Sequence, residues 1–413
     1  MTTAPVSPVR AWSVVALLWL VACLNYLDRI MLTTMRGSLL EAIPMSEAQF
    51  GLLTSVFLWV YALASPVTGF LADKFKRSHV IIVSLFIWSL VTWLTSRATS
   101  FEYLLVTRAL MGLSQACYVP AALALISDYH RGPTRSRATG VHMTGMMTGA
   151  GLGGLGGWVA ETHSWNYAFT LFGQIGVGYA VALMFFLRDA PAAPASPAVP
   201  DAPVLPKVRF GEAMRSLFSS RSFVLAFVYW GLLGLLWTMI GWMPTYLTEK
   251  FHLGQGVAGL SATGYLQVSA LVGVLVGGYW ADEWSRSNPR ARLYVPVVGL
   301  CIAAPALLLV AETNILWLAL AGIILHGFSR AFTDANMMPV LCLITDPRYR
   351  ATGYGFLNLC ACLVGGLSIY AGGALRDTGI PLNRLFQFTA VSLFLCAFLL
   401  LFIRTDTAKA GDK

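Results

Sequence analysis

The stretch GFLADKFKR, residues 69–77, occurs a second time in weaker form as GYWADEWSR, residues 278–286. A second pair of matching stretches, RSRATG at residues 135–140 and RYRATG at residues 348–353, follows the two copies in the same order. The first pair is shifted by 209 residues and the second by 213. Two independent matches with nearly the same shift indicate that the chain consists of two related halves.

The composition around these repeats is that of a membrane protein. The 413 residues are 57% hydrophobic and 11% charged, and the mean hydropathy is +0.68. Apolar stretches of about 20 residues, long enough to cross the hydrocarbon core as a helix, recur along the chain. They predict twelve membrane-spanning helices, near residues 11–34, 49–72, 79–97, 103–128, 138–161, 165–187, 222–247, 256–281, 292–311, 315–344, 351–375 and 384–404.

A stretch rich in Pro and Ala, residues 190–207, divides the twelve predicted spans into two sets of six. We therefore predict an N-terminal bundle at residues 1–187, a cytoplasmic linker at 188–221 and a C-terminal bundle at 222–413. The predicted fold class is an all-α membrane protein with twelve transmembrane helices in two pseudo-symmetric six-helix bundles.

Lysine and arginine are distributed unevenly between the loops. If both termini are cytoplasmic, the cytoplasmic segments hold 20 of the 28 Lys and Arg residues and the outer segments hold five. Positive residues are retained on the cytoplasmic side, so we predict cytoplasmic N- and C-termini and a location in the cell membrane. This topology explains the net charge of +9, and nucleic acid is not an expected partner.

The sequence shows no motif of a catalytic or metal-binding site. The seven cysteines lie within apolar spans, without a CxxC pair or a Cys/His cluster, and no lysine follows a glycine as a GK[ST] phosphate loop requires. We expect a protein that is not an enzyme, has no cofactor or metal and uses an ion gradient rather than ATP. Its expected partners are an anionic small molecule, a proton and the lipid bilayer, and we expect a monomer.

GFLADKFKR resembles the signature loop between the second and third helices of the major facilitator superfamily, and GYWADEWSR resembles the degenerate copy of that loop. The resemblance covers nearly the whole chain and implies alternating access between two bundles, although Phe75 and Lys76 replace the usual Gly before the basic pair. It also implies a cytoplasmic latch between the halves; a solvated, positive loop without a gating role is the alternative. The residues predicted to form the latch are Gly69, Asp73, Lys76, Arg77, Arg137, Asp282, Arg286 and Arg350.

The first predicted span contains LNYLDRIML, residues 24–32, in which two opposite charges, Asp28 and Arg29, are adjacent. Charges within a span are costly and usually face a cavity or a partner. Adjacent residues point about 100° apart on a helix, so these two should address different partners. Asp28 is a candidate proton carrier, because burial disfavours its charge whereas a nearby arginine favours it. Arg29 and Arg108 are candidates for binding an anionic substrate, and a structural ion pair between helices is the alternative.

NYLDR at residues 25–29, together with RALMG at residues 108–112, resembles the organic anion:cation symporter family; Spinster-like lipid carriers share much of the first motif. In these symporters an Asp at the position of Asp28 and a Glu at the position of Gln115 are implied to carry protons. The resemblance implies a proton-coupled importer of a sugar acid such as a hexuronate, an aldonate or sialic acid. Gln115 removes one titratable group, which favours the alternative of uniport or exchange of a neutral sugar or a lipid-like solute. A sensor with the same fold that does not transport is a further alternative.

Other polar residues lie in the predicted spans. Arg330 and Asp334 are spaced i, i+4 and share one helix face, so Asp334 is either a second proton site or substrate ligand, or one partner of a self-neutralised pair. His142 is either a cavity residue or a hydrogen-bonded structural histidine. The full set of candidates for lining a polar cavity, besides the arginines, is Asn25, Tyr26, Gln115, His142, Tyr265, Gln267, Asn336 and Asn358.

Four glycines recur every four residues in the fifth predicted span, at Gly145, Gly149, Gly153 and Gly157. Small residues at this spacing allow two helices to approach closely. The stripe predicts either a sliding contact or tight static packing against a neighbouring helix.

Overall fold

The computed structural model describes residues 7–130, 134–191 and 210–404, without the side chains of residues 69–73. The helices of the first half are α1 (Pro8–Thr34), α2 (Arg36–Ala42), α3 (Glu47–Lys74), α4 (Arg77–Thr95), α5 (Phe101–Ala116), α6 (Tyr118–Tyr129), α7 (Arg135–Leu152), α8 (Gly154–Thr162) and α9 (Trp165–Phe186). The helices of the second half are α10 (Phe210–Ser219), α11 (Arg221–Leu233), α12 (Leu236–Phe251), α13 (Gln255–Leu260), α14 (Leu266–Ser285), α15 (Ala291–Glu312), α16 (Leu316–Ile344), α17 (Arg350–Asp377) and α18 (Leu382–Leu401). A π-helical turn at Ser261–Tyr265 joins α13 to α14, and a 3₁₀ turn at Pro347–Tyr349 precedes α17.

Eleven helical segments in the described part of the chain are long and apolar enough to cross a membrane. The remaining predicted span, at residues 138–161, is formed by α7 and α8 together. Its polar and glycine-rich sequence lowers the hydropathy, and the helix is interrupted at Gly153. The twelve-helix architecture is confirmed, with one span that hydropathy alone identifies poorly.

The two halves repeat the same packing scheme. In the first half α1 packs on α7, α3 on α5 and α4 on α9. In the second half α11 packs on α17, α14 on α16 and α15 on α18, which are the corresponding spans. This agreement confirms the two pseudo-symmetric bundles that the repeated motifs predicted.

A proline divides the fourth predicted span into α5 and α6. Pro120 has no N–H to donate to the carbonyl of Ala116, four residues earlier. Thr68 of α3 donates to that carbonyl instead, at 3.0 Å. A neighbouring helix therefore satisfies the acceptor that the proline leaves free, as the interior of a membrane requires.

The glycine stripe of α7 and α8 packs against α1. A Cβ atom at Gly145 would lie 2.6 Å from the carbonyl oxygen of Trp19, and one at Gly157 would lie 2.6 Å from the carbonyl oxygen of Thr34. A larger residue at either position would force the helices apart. The close contact that the stripe predicted is present, with α1 as the neighbour.

The two halves meet along a seam formed by α3 against α17 and by α7 and α8 against α13 and α14. We call the membrane face at which α1 begins and α18 ends the termini side, and the other face the closed side. Hydrogen bonds that join the halves within the described residues extend from the closed side to the level of Trp59, which donates to the carbonyl of Leu363 at 3.1 Å. Farther toward the termini side, Tyr354 and the carboxylate of Asp334 are exposed, so the seam opens there into a solvent-accessible crevice.

Part of the predicted linker is helical, because α10 occupies Phe210–Ser219. The hydroxyl of Tyr349 donates to Oε1 of Glu212 at 2.9 Å, which holds α10 against the start of α17. Residues 192–209, the central part of the predicted linker, lie outside the described residues. The boundaries of the two bundles stay predictions.

Candidate functional site

Five buried charged and polar side chains lie together in the first half. We call them the buried charge cluster: Asn25, Asp28 and Arg29 of α1, and Arg108 and Gln115 of α5. None is more than 5% exposed. The cluster holds two guanidinium groups and one carboxylate, so it carries an excess positive charge inside a membrane-embedded bundle. Such a charge is costly and is retained where it has a function or a partner.

Asp28 lies at the contact of α1 with α4. Its Oδ2 accepts a hydrogen bond of 3.5 Å from Oγ1 of Thr92, and its Oδ1 is buried without a hydrogen-bond partner. Arg108 acts on Asp28 electrostatically, but the two do not form one of the ion pairs within 4.0 Å that the described residues make. Asp28 is therefore a buried carboxylate with one oxygen free to bind a proton.

Arg108 ties α5 to α1. Its Nη2 donates to the carbonyl oxygen of Arg29 and its Nη1 contacts Sδ of Met111, both at 3.2 Å. The guanidinium carbon lies 5.3 Å from the centre of the Phe57 ring, and the side chain is fully buried. These contacts direct Arg108 toward the backbone of α1 rather than toward the crevice, so its place is that of a positioning residue beside Asp28.

Arg29 is enclosed by three aromatic rings. Its guanidinium carbon lies 4.5 Å from the ring centre of Tyr26, 4.8 Å from that of Phe57 and 4.7 Å from that of Tyr61. Cation–π contacts stabilise the charge, but Nε and Nη2 are buried without hydrogen-bond partners. Arg29 also reaches the seam, where Cys362 of α17 lies within electrostatic range. The site is a cationic group with two unused donors, and an anion would complete it.

Two neutral members link α5 to α1 within the cluster. Nε2 of Gln115 donates to the carbonyl oxygen of Asn25 at 3.3 Å, whereas Oε1 of Gln115 and both side-chain polar atoms of Asn25 are buried without partners. His142 of α7 is also fully buried, and its ring lies 5.8 Å from the ring of Tyr118. The structure therefore groups Asn25 and Gln115 with Asp28 and Arg108, and places His142 beside α6.

In the second half, Arg330 and Asp334 pair with each other along α16. Nη2 of Arg330 donates to Oδ2 of Asp334 at 2.7 Å, and the two side chains are 20% and 35% exposed. This is the self-neutralised pair that the spacing allowed. Asn336 is buried, and its Nδ2 donates to the carbonyl oxygen of Phe332 at 3.0 Å.

The other candidate residues of the second half are dispersed. Asn358 of α17 is partly exposed, and Tyr265 is 43% exposed. Gln267 lines a crevice of about 240 Å³ between α7 and α14, together with Thr148 and Gly151. Tyr265 and Gln267 therefore belong to the α7–α14 side of the seam, whereas Arg29 faces α17.

Four charged residues join the two halves on the closed side. We call them the interhalf ring: Arg36 of α2 and Glu47 of α3, with Glu249 of α12 and Arg376 of α17. Arg36 pairs with Glu47 and, at 3.4 Å, with Glu249; Arg376 pairs with Glu249 at 2.7 Å and with Glu47 at 3.3 Å. Each arginine contacts both carboxylates, so positive and negative groups alternate around the ring.

A second contact of the same kind lies beside the ring. The carboxylate of Asp377, in the second half, accepts hydrogen bonds from the backbone N–H groups of Glu47 and Ala48, both at 2.9 Å. The first N–H groups of a helix have no partner within the helix. Asp377 therefore caps α3 from the opposite half.

The charges that were predicted to form a latch on the termini side pair within their own halves. Arg77 forms an ion pair with Asp128, and Asp282 pairs with Arg292 at 2.7 Å. None of these contacts crosses the seam. The connection between the halves in this conformation is on the closed side, where the interhalf ring lies.

The remaining latch candidates follow the same pattern. Arg286 pairs with Glu283 at 3.0 Å, and Nη2 of Arg350 donates to the carbonyl oxygen of Cys342 at 3.0 Å. Two candidates are exposed, namely Lys76 and Arg137. The side chains of two others, Gly69 and Asp73, lie outside the described residues.

Sequence reasoning did not predict the interhalf ring. Arg36 and Arg376 counted only as two of the five positive residues of the outer segments, and Glu47 and Glu249 were not considered. The available signal was weak: acidic and basic residues are adjacent at helix ends, as in Arg376-Asp377. Which of them meet depends on which helices face each other across the seam.

Comparison with known proteins identifies the family. The sequence profile of the Major Facilitator Superfamily matches residues 18–369, which is most of the chain. The chain belongs to the Major Facilitator Superfamily. This superfamily member is a secondary transporter embedded in a membrane and is not an enzyme, as the sequence predicted.

The similar proteins are Spinster proteins. The transporter is 26% identical to Protein spinster homolog 1 of Xenopus laevis over 437 residues, covering 97% of this chain and 82% of the relative. It is 27% identical to the human Protein spinster homolog 1 over 426 residues, covering 95% and 79%. The narrower resemblance to organic anion:cation symporters is not reflected in these relatives and stays a hypothesis.

Solved structures show the same fold. The crystal structure of a bacterial homologue of the human lysosomal transporter Spinster, inward-facing and unoccupied, aligns with a TM-score of 0.79 at 22% identity and covers 96% of both chains. The nucleoside transporter NupG aligns with a TM-score of 0.73 at 15% identity, covering 94% of this chain and 99% of the other. At these identities the likeness concerns the fold alone.

Proposed function

We propose that this superfamily member is a proton-coupled transporter of an organic anion that works by alternating access. The observation that carries the proposal is the environment of Arg29, whose two unpartnered N–H groups lie among three aromatic rings beside the free oxygen of Asp28. An anion on Arg29 and a proton on Asp28 would complete both groups. The excess of guanidinium groups over carboxylates in the buried charge cluster supports an anion over a cation.

Electrostatic linkage would couple the two bound species. Protonation of Asp28 raises the net charge of the buried charge cluster from +1 to +2, which strengthens the attraction for an anion. By reciprocity, a bound anion favours the protonated form of Asp28. Proton and anion therefore bind together and leave together, which is the requirement for symport.

Gln115 supports one proton for each cycle. The side chain does not titrate, so Asp28 is the acidic group of the buried charge cluster. One proton moving with a monoanion carries no net charge, and the pH gradient alone would drive the uptake. Each unit of pH difference supplies about 1.4 kcal/mol, enough for roughly tenfold accumulation.

The rings around Arg29 favour an anion with an apolar part. Tyr26, Phe57 and Tyr61 offer ring faces to a bound molecule and only two hydroxyl groups, whereas a sugar acid needs partners for many hydroxyls. A sugar acid such as a hexuronate, an aldonate or sialic acid is the second candidate, favoured by the NYLDR resemblance. Exchange of a neutral or lipid-like solute is a third candidate, favoured by Gln115.

The topology that we propose has both termini in the cytoplasm and the protein in the cell membrane, as a monomer. It is supported by the 20 Lys and Arg residues in the segments on the termini side, against five on the closed side. In this orientation the crevice opens to the cytoplasm, and the transporter imports its substrate. We propose that the latch residues predicted on the termini side meet across the seam when the closed side opens.

The test is transport into liposomes with an imposed pH gradient. Octyl phosphate represents an anion with an apolar part and glucuronate represents a sugar acid. We expect gradient-driven accumulation of octyl phosphate, loss of that accumulation in Asp28→Asn, and continued exchange in the same variant. Glu102→Gln, which removes an exposed carboxylate from α5, should behave like the unmodified protein.

The alternatives give different results in the same liposomes. Accumulation that persists in Asp28→Asn would refute the coupling role. Preferential uptake of glucuronate would select the sugar-acid candidate, and transport that ignores the pH gradient would select exchange. Binding without any transport would identify a sensor.

A further inference from the structure

A cavity of about 330 Å³ lies on the closed side, directly at the seam. Its walls come from both halves: the end of α1, α2 and α8 on one side, and α12 with residues 253–255 on the other. The cavity is separate from the buried charge cluster and is not part of the transport site proposed above. A molecule bound here would contact both halves at once.

The lining has more acidic than basic groups. Arg36 and Glu249 reach the cavity, but both belong to the interhalf ring, which is electrically balanced within itself. Two further lining carboxylates, Glu41 and Glu161, take part in none of the ion pairs formed by the described residues. The cavity therefore carries two uncompensated negative charges, and it should attract a positively charged ligand.

One of these carboxylates is held in place by the opposite half. Oε2 of Glu161 accepts the backbone N–H of Gly256 at 2.6 Å. A Cβ atom at Gly256 would lie 3.0 Å from that same oxygen and 2.7 Å from the backbone of Trp158. The glycine therefore allows the carboxylate to sit close to the backbone, and Glu161 is fixed across the seam.

The hydroxyl groups at the end of α1 are already used as donors. Oγ1 of Thr33 donates to the carbonyl of Ile30 and Oγ1 of Thr34 donates to the carbonyl of Met31, both at 2.8 Å. Both threonines line the cavity. Together with the carboxylates, which only accept, they leave the first-half wall with acceptors, so a ligand has to bring the donors.

An unpartnered hydroxyl lines the other wall. Thr245 of α12 is 5% exposed, and its Oγ1 is buried without a hydrogen-bond partner. A threonine within a helix commonly donates to the carbonyl four residues earlier, and this one does not. A buried polar atom without a partner is costly, and a polar ligand in the cavity would satisfy it.

We propose that this cavity is a binding site for a small organic amine. Two uncompensated carboxylates match the two ammonium groups of a short diamine, and the ammonium hydrogens supply the donors that the walls lack. Because the bound amine would touch both halves, it favours the conformation in which the closed side is shut. Such a ligand regulates the transporter from the face opposite the termini and is not carried by it.

The test is calorimetric titration of the full-length transporter in nanodiscs of neutral phosphatidylcholine, which do not themselves attract amines. The probe is putrescine, with 1,4-butanediol as an uncharged molecule of the same length and Mg²⁺ as a compact ion of the same charge. We expect saturable binding of putrescine, no binding of the diol and weaker binding of Mg²⁺. Binding of the diol as strong as that of putrescine, or of Mg²⁺ as strong, would overturn the proposal.

Variants locate the site. Glu41→Gln combined with Glu161→Gln should weaken putrescine binding by about tenfold or more, because two charge-assisted hydrogen bonds are lost. Thr245→Val, which keeps the shape of the side chain, should weaken it by roughly fivefold. Glu102→Gln removes an exposed carboxylate outside the cavity and should leave the affinity unchanged. Unchanged affinity in the double variant would sink the proposal without touching the proton-coupling hypothesis, which does not involve this cavity.

Discussion

The two halves share one packing scheme but hold their charges in different ways. In the first half, Asp28 and Arg108 are buried without a direct ion pair. In the second half, Arg330 and Asp334 pair with each other at 2.7 Å beside the crevice, on the helix that corresponds to α5 and α6. An exposed pair at i, i+4 contributes only about 0.3–0.5 kcal/mol, whereas a buried charge responds strongly to any change of partner or proton. The difference indicates that coupling is concentrated in the first half.

The strongest test of this asymmetry is the substitution Arg108→Met. It leaves Asp28 buried with its compensating charge reduced, which should cost about 3–5 kcal/mol of folding free energy. Adding Asp28→Asn should recover part of the loss, because the double variant has no uncompensated carboxylate. Thermal unfolding of the two single variants and the double variant measures the coupling. Strictly additive losses would show that the two side chains act independently.

A smaller effect on stability, with a large effect on binding, is expected for Arg29→Gln. The two unpartnered N–H groups contribute no hydrogen bond to the fold, so stability should fall less than in Arg108→Met. Loss of hydrogen bonds from a charged donor costs about 1.5–3 kcal/mol, which predicts roughly tenfold to hundredfold weaker binding of octyl phosphate by calorimetry. Arg97→Gln, an exposed arginine of the same half, is the matched control. Equal affinity in both variants would remove Arg29 from the substrate site.

The interhalf ring extends the comparison from the two halves to the two sides of the seam. Arg376→Gln removes two ion pairs from the closed side, and partly exposed pairs are worth up to about 1 kcal/mol. We expect the population with an open closed side to rise about fivefold, measured as longer distances between spin labels placed on the two halves. Arg384→Gln, whose partner Gln387 lies outside the ring, should not change the distances.

The smallest effect is expected for Asp334→Asn. It removes one partly exposed pair within α16, worth about 0.3–0.5 kcal/mol, and gradient-driven uptake should stay within about twofold of the unmodified protein. An effect as large as that of Asp28→Asn would break the proposed asymmetry, because it would make the second half an equal participant in coupling.

The fold could be predicted because its determinants are local in sequence. The spacing of apolar stretches and the shift between GFLAD and GYWAD are properties of the chain alone. The fifth span was the difficult one, since glycine and polar residues lower its hydropathy; only the stripe at Gly145 and Gly149 indicated that it packs closely on a neighbour. That this neighbour is α1 depends on the three-dimensional arrangement.

The site could be predicted only in part. Charged residues inside an apolar span stand out by themselves, and so Asp28, Arg29 and Arg108 could be selected without a structure. The aromatic enclosure of Arg29 could not, because Phe57 and Tyr61 look like ordinary residues of an apolar helix. The interhalf ring escaped for a related reason: its members are unremarkable loop charges until α2, α3, α12 and α17 are brought together.

The cap that Asp377 places on α3 has a consequence for the dynamics of the cycle. When the halves separate on this side, the amides of Glu47 and Ala48 lose their acceptor, at a cost of about 0.5–2 kcal/mol, and near the lower end because the carboxylate is exposed. The end of α3 should fray in that state, since nothing within the helix replaces the lost bonds. Hydrogen–deuterium exchange at these two amides would then report how much of its time the transporter spends in each state, without any label.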